Sequence, residues 1–204
     1  EQELMTKDAT IREIHHRVKN NLQTVSALLR LQSRRSSEEA VKVALAEAER
    51  RVQAIATVHA ALSQNVDESV DFDEVARTIV RMAGAIASTD HSVEVITTGS
   101  FGTIQADQAQ ALATVLNELV ANSVEHGLAD RDGLIEVRAE REGTSMTVTV
   151  ADNGVGFVPG TPMSGLGTQI VHQMVRGELK GSIEWAPREG GGTLVTLHAN
   201  LDPA

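Results

Sequence analysis

No cysteine occurs in the 204 residues, so the fold can use neither disulfides nor thiolate metal sites, and a reducing compartment is allowed. Positive charge is scarce too: 18 Lys and Arg stand against 28 Asp and Glu, for a net charge of −10. A surface for nucleic acid or anionic membrane needs clustered Lys and Arg, so neither partner is expected. No apolar run approaches the roughly 18 residues of a membrane span, and no signal peptide opens the chain. Also missing are G-x-x-x-x-G-K-S/T, G-x-G-x-x-G and H-E-x-x-H, which removes the P-loop, Rossmann and zinc-protease readings. The expectation is a soluble cytoplasmic protein. Because Glu1 leads almost at once into a helical pattern, the chain is expected to be a piece of a longer one.

What is present falls into two textures. Residues 8–33 set Ile11, Val18 and Val25 seven apart, with Ile14 and Leu28 on an adjacent seam and His15, Leu22 and Leu29 on a third row. After Arg35-Ser36-Ser37, residues 41–62 carry Val41, Leu45, Ala48, Val52, Ile55, His59 and Leu62 at alternating spacings of four and three. Two such helices with a short connection make an antiparallel hairpin, and stripes this wide call for a second copy, giving a dimeric four-helix bundle. Gln64–Ser69 is polar and aperiodic and reads as a linker, which places a helical unit at 1–66 and a second domain at 67–204.

Beyond it the pattern predicts helices at about 73–87, 107–126 and 167–176. Strands are expected at 92–97, 135–141, 146–151, 182–185 and 193–199, with a hairpin at Glu142-Gly143-Thr144. Largely antiparallel strands mixed with helices imply an α+β sandwich with helices on one face.

His16 lies about 200° around its helix from Ile14 and Val18, opposite the buried stripe. Arg12, Glu13, Lys19 and Asn20 surround it one turn away. Cations can attract a γ-phosphate and a carboxylate can take the imidazole proton, which leaves a nucleophilic nitrogen. The other reading of the same residues is a solvated helix face. His15 and His59 sit on buried rows and read as packed or hydrogen-bonded groups, while His91, His172 and His198 have no ligand or catalytic spacing.

In the second domain, Asp152-Asn153-Gly154-Val155-Gly156 follows a strand, Gly165-Leu166-Gly167 opens a helix and Gly190-Gly191-Gly192-Thr193 enters the last strand. Glycines admit a ligand close to the backbone, and a helix N-terminus offers free N–H groups to phosphates. An acidic residue at a strand end can accept from an exocyclic amine such as that of adenine. Glu118, Asn122 and Glu125 follow i, i+4, i+7 along one edge of the helix whose buried side is Leu112, Leu116, Leu119 and Ser123. Such hard oxygens suit Mg²⁺ beside phosphates, and equally suit an ordinary half-exposed helix.

Together, Glu13-Ile14-His15-His16-Arg17-Val18-Lys19-Asn20-Asn21-Leu22-Gln23 resembles the H-box of the HisKA_2 histidine kinases, related to the HWE kinases, with the pattern E-x-x-H-R-x-K-N-x-L. Residues 67–204 resemble the Bergerat (GHKL) ATP-binding fold shared by histidine kinases, DNA gyrase, MutL and a heat-shock chaperone family. The resemblance implies that His16, directly before the arginine, takes the phosphoryl group from Mg-ATP and passes it to an aspartate on a response regulator receiver domain. It further implies that Asn122 holds Mg²⁺, Asp152 binds the adenine amine, and Gly154 and Gly156 shape the adenine side. Gly165 and Gly167 would border the phosphates, Thr193 would support the adenine, and Asn117 and His126 would complete the ATP-binding set. Glu118 matches the general-base position of the gyrase-like ATPases.

Two departures stand out. Glu125 occupies a position that is basic in many relatives, leaving His126 or Arg131 to meet phosphate charge. Arg17 follows the histidine where an acidic residue is common, leaving Glu13 as the proton acceptor. The short segment between Gly156 and Gly165 implies a small ATP lid. Within the family the chain resembles soluble actinobacterial kinases whose regulator is an RNA-binding antiterminator. The competing readings are an anti-sigma-type serine kinase, which would not need the H-box helix, and a nucleotide-sensing scaffold without phosphoryl transfer.

Overall fold

The computed structural model describes residues 2–65, 68–85, 91–160 and 165–203. Helix α1 (Gln2–Arg35) and helix α2 (Glu39–Leu62) form the expected antiparallel hairpin. Its turn is held by the Ser36 N–H donating to the Gln32 carbonyl (3.1 Å) and by the Ser36 hydroxyl accepting from the Glu38 N–H (3.2 Å). Arg34 and Arg35 end α1 and Glu39 begins α2, which suits both helix dipoles. The inner row of α1 is Ile11, His15, Val18, Leu22, Ser26 and Leu29. Ile14, Val25, Leu28, Leu31, Val41 and Val43 stay between 39% and 56% exposed, an apolar face with no cover from within the chain.

The second half of α2 does something the heptad reading did not foresee. Ala54, Val58 and Leu62 are at most 1% exposed and belong to one hydrophobic core with Val70, Phe72, Leu112 and Leu116. The helix is shared between the hairpin and the domain that follows. The expected linker is therefore short: Val66 and Asp67 lie outside the described residues, and the chain is already in strand β1 at Ser69–Asp71.

Helix α3 (Phe72–Gly84) is capped by the Asp71 carboxylate, which accepts from the Asp73 N–H. Strand β2 (Val93–Gly99) and strand β3 (Thr103–Gln105) lead to helix α4 (Ala106–Asn122), which widens into a π-helical turn at Ser123–Leu128. Strands β4 (Gly133–Glu142) and β5 (Ser145–Asp152), helix α5 (Leu166–Arg176), and strands β6 (Ser182–Pro187) and β7 (Thr193–Asn200) complete the domain.

The main sheet runs β2-β4-β5-β7-β6. Its pairings are antiparallel except β2 with β4, whose crossover contains α4. Burial alternates: Ile135, Val137, Ala139, Val148, Val150, Val195 and Leu197 point into the core, whereas Glu136, Arg138, Thr147, Thr149 and Thr196 point away. Only one face is therefore covered by helices, as an α+β layer requires.

Three features differ from the sequence reading. Strands β1 and β3 pair into a small separate sheet, being too short at three residues each to show a period. The expected helix at 107–126 ends as α-helix at Asn122. Residues 86 and 87 of the expected 73–87 helix lie outside the described residues, and the helix ends at Gly84. Asp73 ties this region together by accepting from the Phe101 N–H (2.8 Å), the Ser100 hydroxyl (2.7 Å) and the Gly102 N–H (3.3 Å). Burial pushes its pKa up, but those hydrogen bonds outweigh it and hold the carboxyl below the usual range.

Candidate functional site

Six elements surround a cavity of about 510 Å³, of the size that holds a nucleotide. One wall is the edge of α4 and its π-turn, with Glu118, Leu119, Asn122, Glu125, His126 and Gly127. Asp152 at the end of β5 and Thr193 at the start of β7 form the floor, and Gly165 to Thr168 at the start of α5 form one rim. The opposite rim is Glu47, Arg50 and Arg51 of α2. The sequence-predicted residues Glu118, Asn122, His126, Asp152, Gly156, Gly165, Gly167 and Thr193 thus share one cavity, although up to 75 positions separate them.

At the floor, Asp152 is only 2% exposed. Its Oδ1 accepts from the backbone N–H groups of Gly154 (3.0 Å) and Thr193 (3.3 Å). Its Oδ2 lies toward Gly127, where a Cβ would overlap it, and keeps lone pairs for a further donor. Burial raises the Asp152 pKa, opposed by the two N–H groups, by Arg188 and by Ser123. A buried carboxylate on two amides suits an amine donor in a small apolar environment, which Leu119, Ala121, Phe157, Trp185 and Val195 supply. Gly154 does not line the cavity. A Cβ there would overlap the Gly127 carbonyl oxygen, so its part is to let the Asp152 turn pack against the π-turn.

At the other end, Glu118 is 5% exposed and gripped by Arg51, with Nε to Oε1 at 2.6 Å and Nη2 to Oε2 at 3.3 Å. Arg50 reaches Glu125 at 3.2 Å, and Arg51 also approaches Glu47 at 3.6 Å. A Cβ on Gly167 would meet the Glu118 carboxylate, so the glycine lets the start of α5 come up against that side chain. Gly165, at φ +133°, precedes α5 without any side-chain cap, which leaves the first-turn N–H groups of α5 facing the rim.

His16 is exposed on α1, as its helix position predicts. Its Nδ1 lies 3.3 Å from the Asn20 amide. Glu13 is turned to Arg17 (2.8 Å) and not to the imidazole, a difference from the sequence reading that follows from the i, i+4 spacing of a carboxylate and a guanidinium. That hydrogen bond and the charge of Arg17 hold the Glu13 carboxyl below the usual range. His15 is part-buried, its Nδ1 3.0 Å from His59 Nδ1, while His59 Nε2 meets Gln110 of α4 at 2.8 Å. Burial first, and His15 second, lower the His59 pKa.

Besides Gly154, two expectations are not met by the geometry. Asn117 is 2% exposed and does not line the cavity, since it sits about 100° around α4 from Glu118. Arg131 is exposed and absent from the cavity wall, carried away by the left-handed residues Ala129 and Asp130. No α1 residue lines the cavity, so His16 and Glu13 stand apart from it. His15, the neighbour of His16, meets His59, which is eight residues along α2 from Arg51, or about 12 Å of helix. Half of the lid segment, residues 161–164, lies outside the described residues. Sequence reasoning missed Arg50, Arg51 and Glu47, whose only signal was an adjacent pair of cations flanking a buried row.

Comparison with known proteins agrees with this layout. Residues 13–86 match the HisKA_2 family, described as histidine kinase, and residues 107–203 match the histidine kinase-, DNA gyrase B-, and HSP90-like ATPase family. The sensor histidine kinase PdtaS of Mycolicibacterium smegmatis is 46% identical over 203 residues, covering 97% of this chain and 41% of that protein. PdtaS of Mycobacterium tuberculosis is 46% identical over 199 residues, covering 95% of this chain and 40% of that protein. The chain thus spans about two fifths of the length of these relatives. The histidine kinase domain of a blue-light-activated histidine kinase from Erythrobacter litoralis shares the fold, with a TM-score of 0.61 at 23% identity over 98% of this chain and 95% of that one. No described helix is long and apolar enough to cross a membrane. With a phosphoacceptor-type hairpin and an ATPase-type domain both matched, the chain belongs to the histidine kinase family.

Proposed function

We propose that this chain autophosphorylates His16 from Mg-ATP and then donates the phosphoryl group to an aspartate of a response regulator receiver domain. The observation that carries the reading is the single cavity in which a buried carboxylate on two amides, hard oxygens on a helix edge and an uncapped helix N-terminus converge, in a chain that also exposes an H-box histidine. Asp152 and Thr193 would receive the adenine, and the first turn of α5 the phosphates. Glu118 and Asn122 offer oxygen donors on one wall of the cavity, and among the described residues no cluster of three or more His, Cys, Asp or Glu forms a metal cage. That donor set fits Mg²⁺, which keeps its own waters and leans on substrate phosphates; when bound it would neutralise phosphate charge.

In the transfer step an unprotonated imidazole nitrogen attacks the γ-phosphorus, the bond to the β-bridging oxygen breaks, and ADP leaves. The Asn20 amide nitrogen faces Nδ1 at 3.3 Å, so its NH₂ donates there and the ring proton sits on Nε2; turning the amide over, so that its oxygen accepts from Nδ1–H, frees the Nε2 lone pair for attack. The cavity and His16 must approach each other first, either by displacement of the ATP-binding domain along the hairpin or in the cavity of a second copy. The uncovered apolar face of the hairpin supports a homodimer. The unit boundary proposed at about residue 66 is functional, since the core itself runs across it.

The test is incubation with γ-labelled ATP and Mg²⁺, then exposure of the product to acid and to base. Label lost in acid and kept in base identifies phosphohistidine. Acid-stable label would indicate a serine kinase, and nucleotide binding without label a scaffold.

A further inference from the structure

We propose that Arg50 and Arg51 of α2 bind the β- and γ-phosphate oxygens of the nucleotide, so that the hairpin supplies the phosphate-binding charge that the ATP-binding domain lacks. The proposal rests on the nucleotide reading above. Around the phosphate end the cavity carries the carboxylates of Glu47, Glu118 and Glu125, which repel a polyanion. Its wall contains no Lys, and Arg50 and Arg51 are its only permanent cations among the described residues. The position expected to be basic holds Glu125, and Arg131 does not reach the cavity.

Both arginines are built into the site. About one and two helical turns further on, Ala54 and Val58 are fixed in the core, so α2 delivers residues 50 and 51 to the rim with little freedom. The side chains are 20% and 16% exposed. Arg51 Nη2 would lie 3.6 Å from a Cβ on Gly167, which sets the guanidinium against the first turn of α5, where the free N–H groups are. Arg50 Nε is buried and has no hydrogen-bond partner among the described residues, so this guanidinium has a donor that its ion pair with Glu125 does not use. Guanidinium and phosphate match as bidentate partners.

Glu118 and Glu125 serve as counter-ions to these two half-buried cations. When phosphate oxygens take over that role, the Glu118 carboxylate is released. Occupation of the phosphate site and availability of Glu118 are then one event, with no further conformational device.

The test uses the whole chain and calorimetry with adenosine, ADP and a non-hydrolysable ATP analogue, with Mg²⁺ and again in EDTA. Arg51→Gln is expected to weaken the triphosphate analogue about ten- to hundredfold and leave adenosine within about twofold. Arg51→Lys, which keeps the charge but not the fork, should fall between. The decisive arm repeats Arg51→Gln in a Glu118→Gln background. A loss of the same size there supports direct phosphate contact. Its disappearance means that Arg51 only screens Glu118 and overturns the proposal, as would tighter triphosphate binding in Arg51→Gln, the mark of a blocking latch. Equal losses for adenosine and triphosphate would make the role structural and also overturn it. A parent chain that binds neither ligand removes the nucleotide reading itself.

Discussion

Asp152→Asn alters a single atom at the floor of the cavity and should act in opposite directions on ligand binding and on stability. The Oδ1 atom already accepts from the Gly154 and Thr193 N–H groups, so an Asn keeps its oxygen there and puts its NH₂ where Oδ2 was. That replaces an acceptor with a donor in front of the adenine amine. A net charge-assisted hydrogen bond is worth about 1.5–3 kcal/mol, so ATP affinity should fall roughly ten- to hundredfold. Guanine carries a carbonyl at the corresponding position, and discrimination against GTP should shrink or invert. For the empty protein the sign reverses. Burial holds the Asp152 pKa above its ordinary value, so the folded state binds a proton more tightly than the unfolded state does. The ionised carboxylate is therefore a cost to folding above that raised pKa, relieved as pH falls through it. The Asn variant has no such cost, and its melting temperature at neutral pH should equal or exceed that of the parent. Calorimetry with ATP and GTP and thermal melts of the empty protein measure both. An unchanged dissociation constant, or weaker binding accompanied by a melting temperature lowered by several degrees, would refute the reasoning.

His16→Gln should abolish labelling by γ-labelled ATP while ATP affinity stays near that of the parent, because no α1 residue lines the cavity; His15→Gln should keep label, and the reverse pattern would reassign the acceptor. Glu13→Gln should slow autophosphorylation by about 10²-fold if the carboxylate leaves Arg17 to take the imidazole proton. Since its pKa is held low, Glu13 stays ionised over about pH 6 to 9 and contributes no rate dependence there. An unchanged rate in Glu13→Gln would leave Asn20 as the orienting group, which Asn20→Ala then tests. The His59 pKa is lowered on folding, so stability should be lost as pH falls below about 6.5, where the unfolded chain gains a proton that the folded one refuses. That loss should be smaller in His59→Gln, read as melting temperature against pH, with His15 and Gln110 the groups facing the ring.

Sequence alone carried the hairpin, the order and type of most later elements, and the outward face of His16, because these depend on periodicity and on short-range turn chemistry. It also supplied eight residues of the cavity wall, since Asp152, Asn122, Gly165 and Gly167 stand in compact motifs whose residue types suit ligand approach. Three-residue strands such as Ser69–Asp71 were invisible because their stability comes from a partner 34 positions away and not from their own pattern. The rotation that excludes Asn117 while admitting Glu118 depends on how α4 is set against the sheet. Likewise, the turn of Glu13 toward Arg17 is a choice between two charges within reach on the same helix. What only the tertiary structure decided is where α2 goes after its first turns. Residues Ala54, Val58 and Leu62 read as one more stretch of bundle helix, yet they bury in the core of the ATP-binding domain. That burial brings Arg50 and Arg51 onto Glu125 and Glu118, 75 and 67 positions away, because a long-range ion pair is fixed by the packing of the helix that carries it and leaves no period in the sequence.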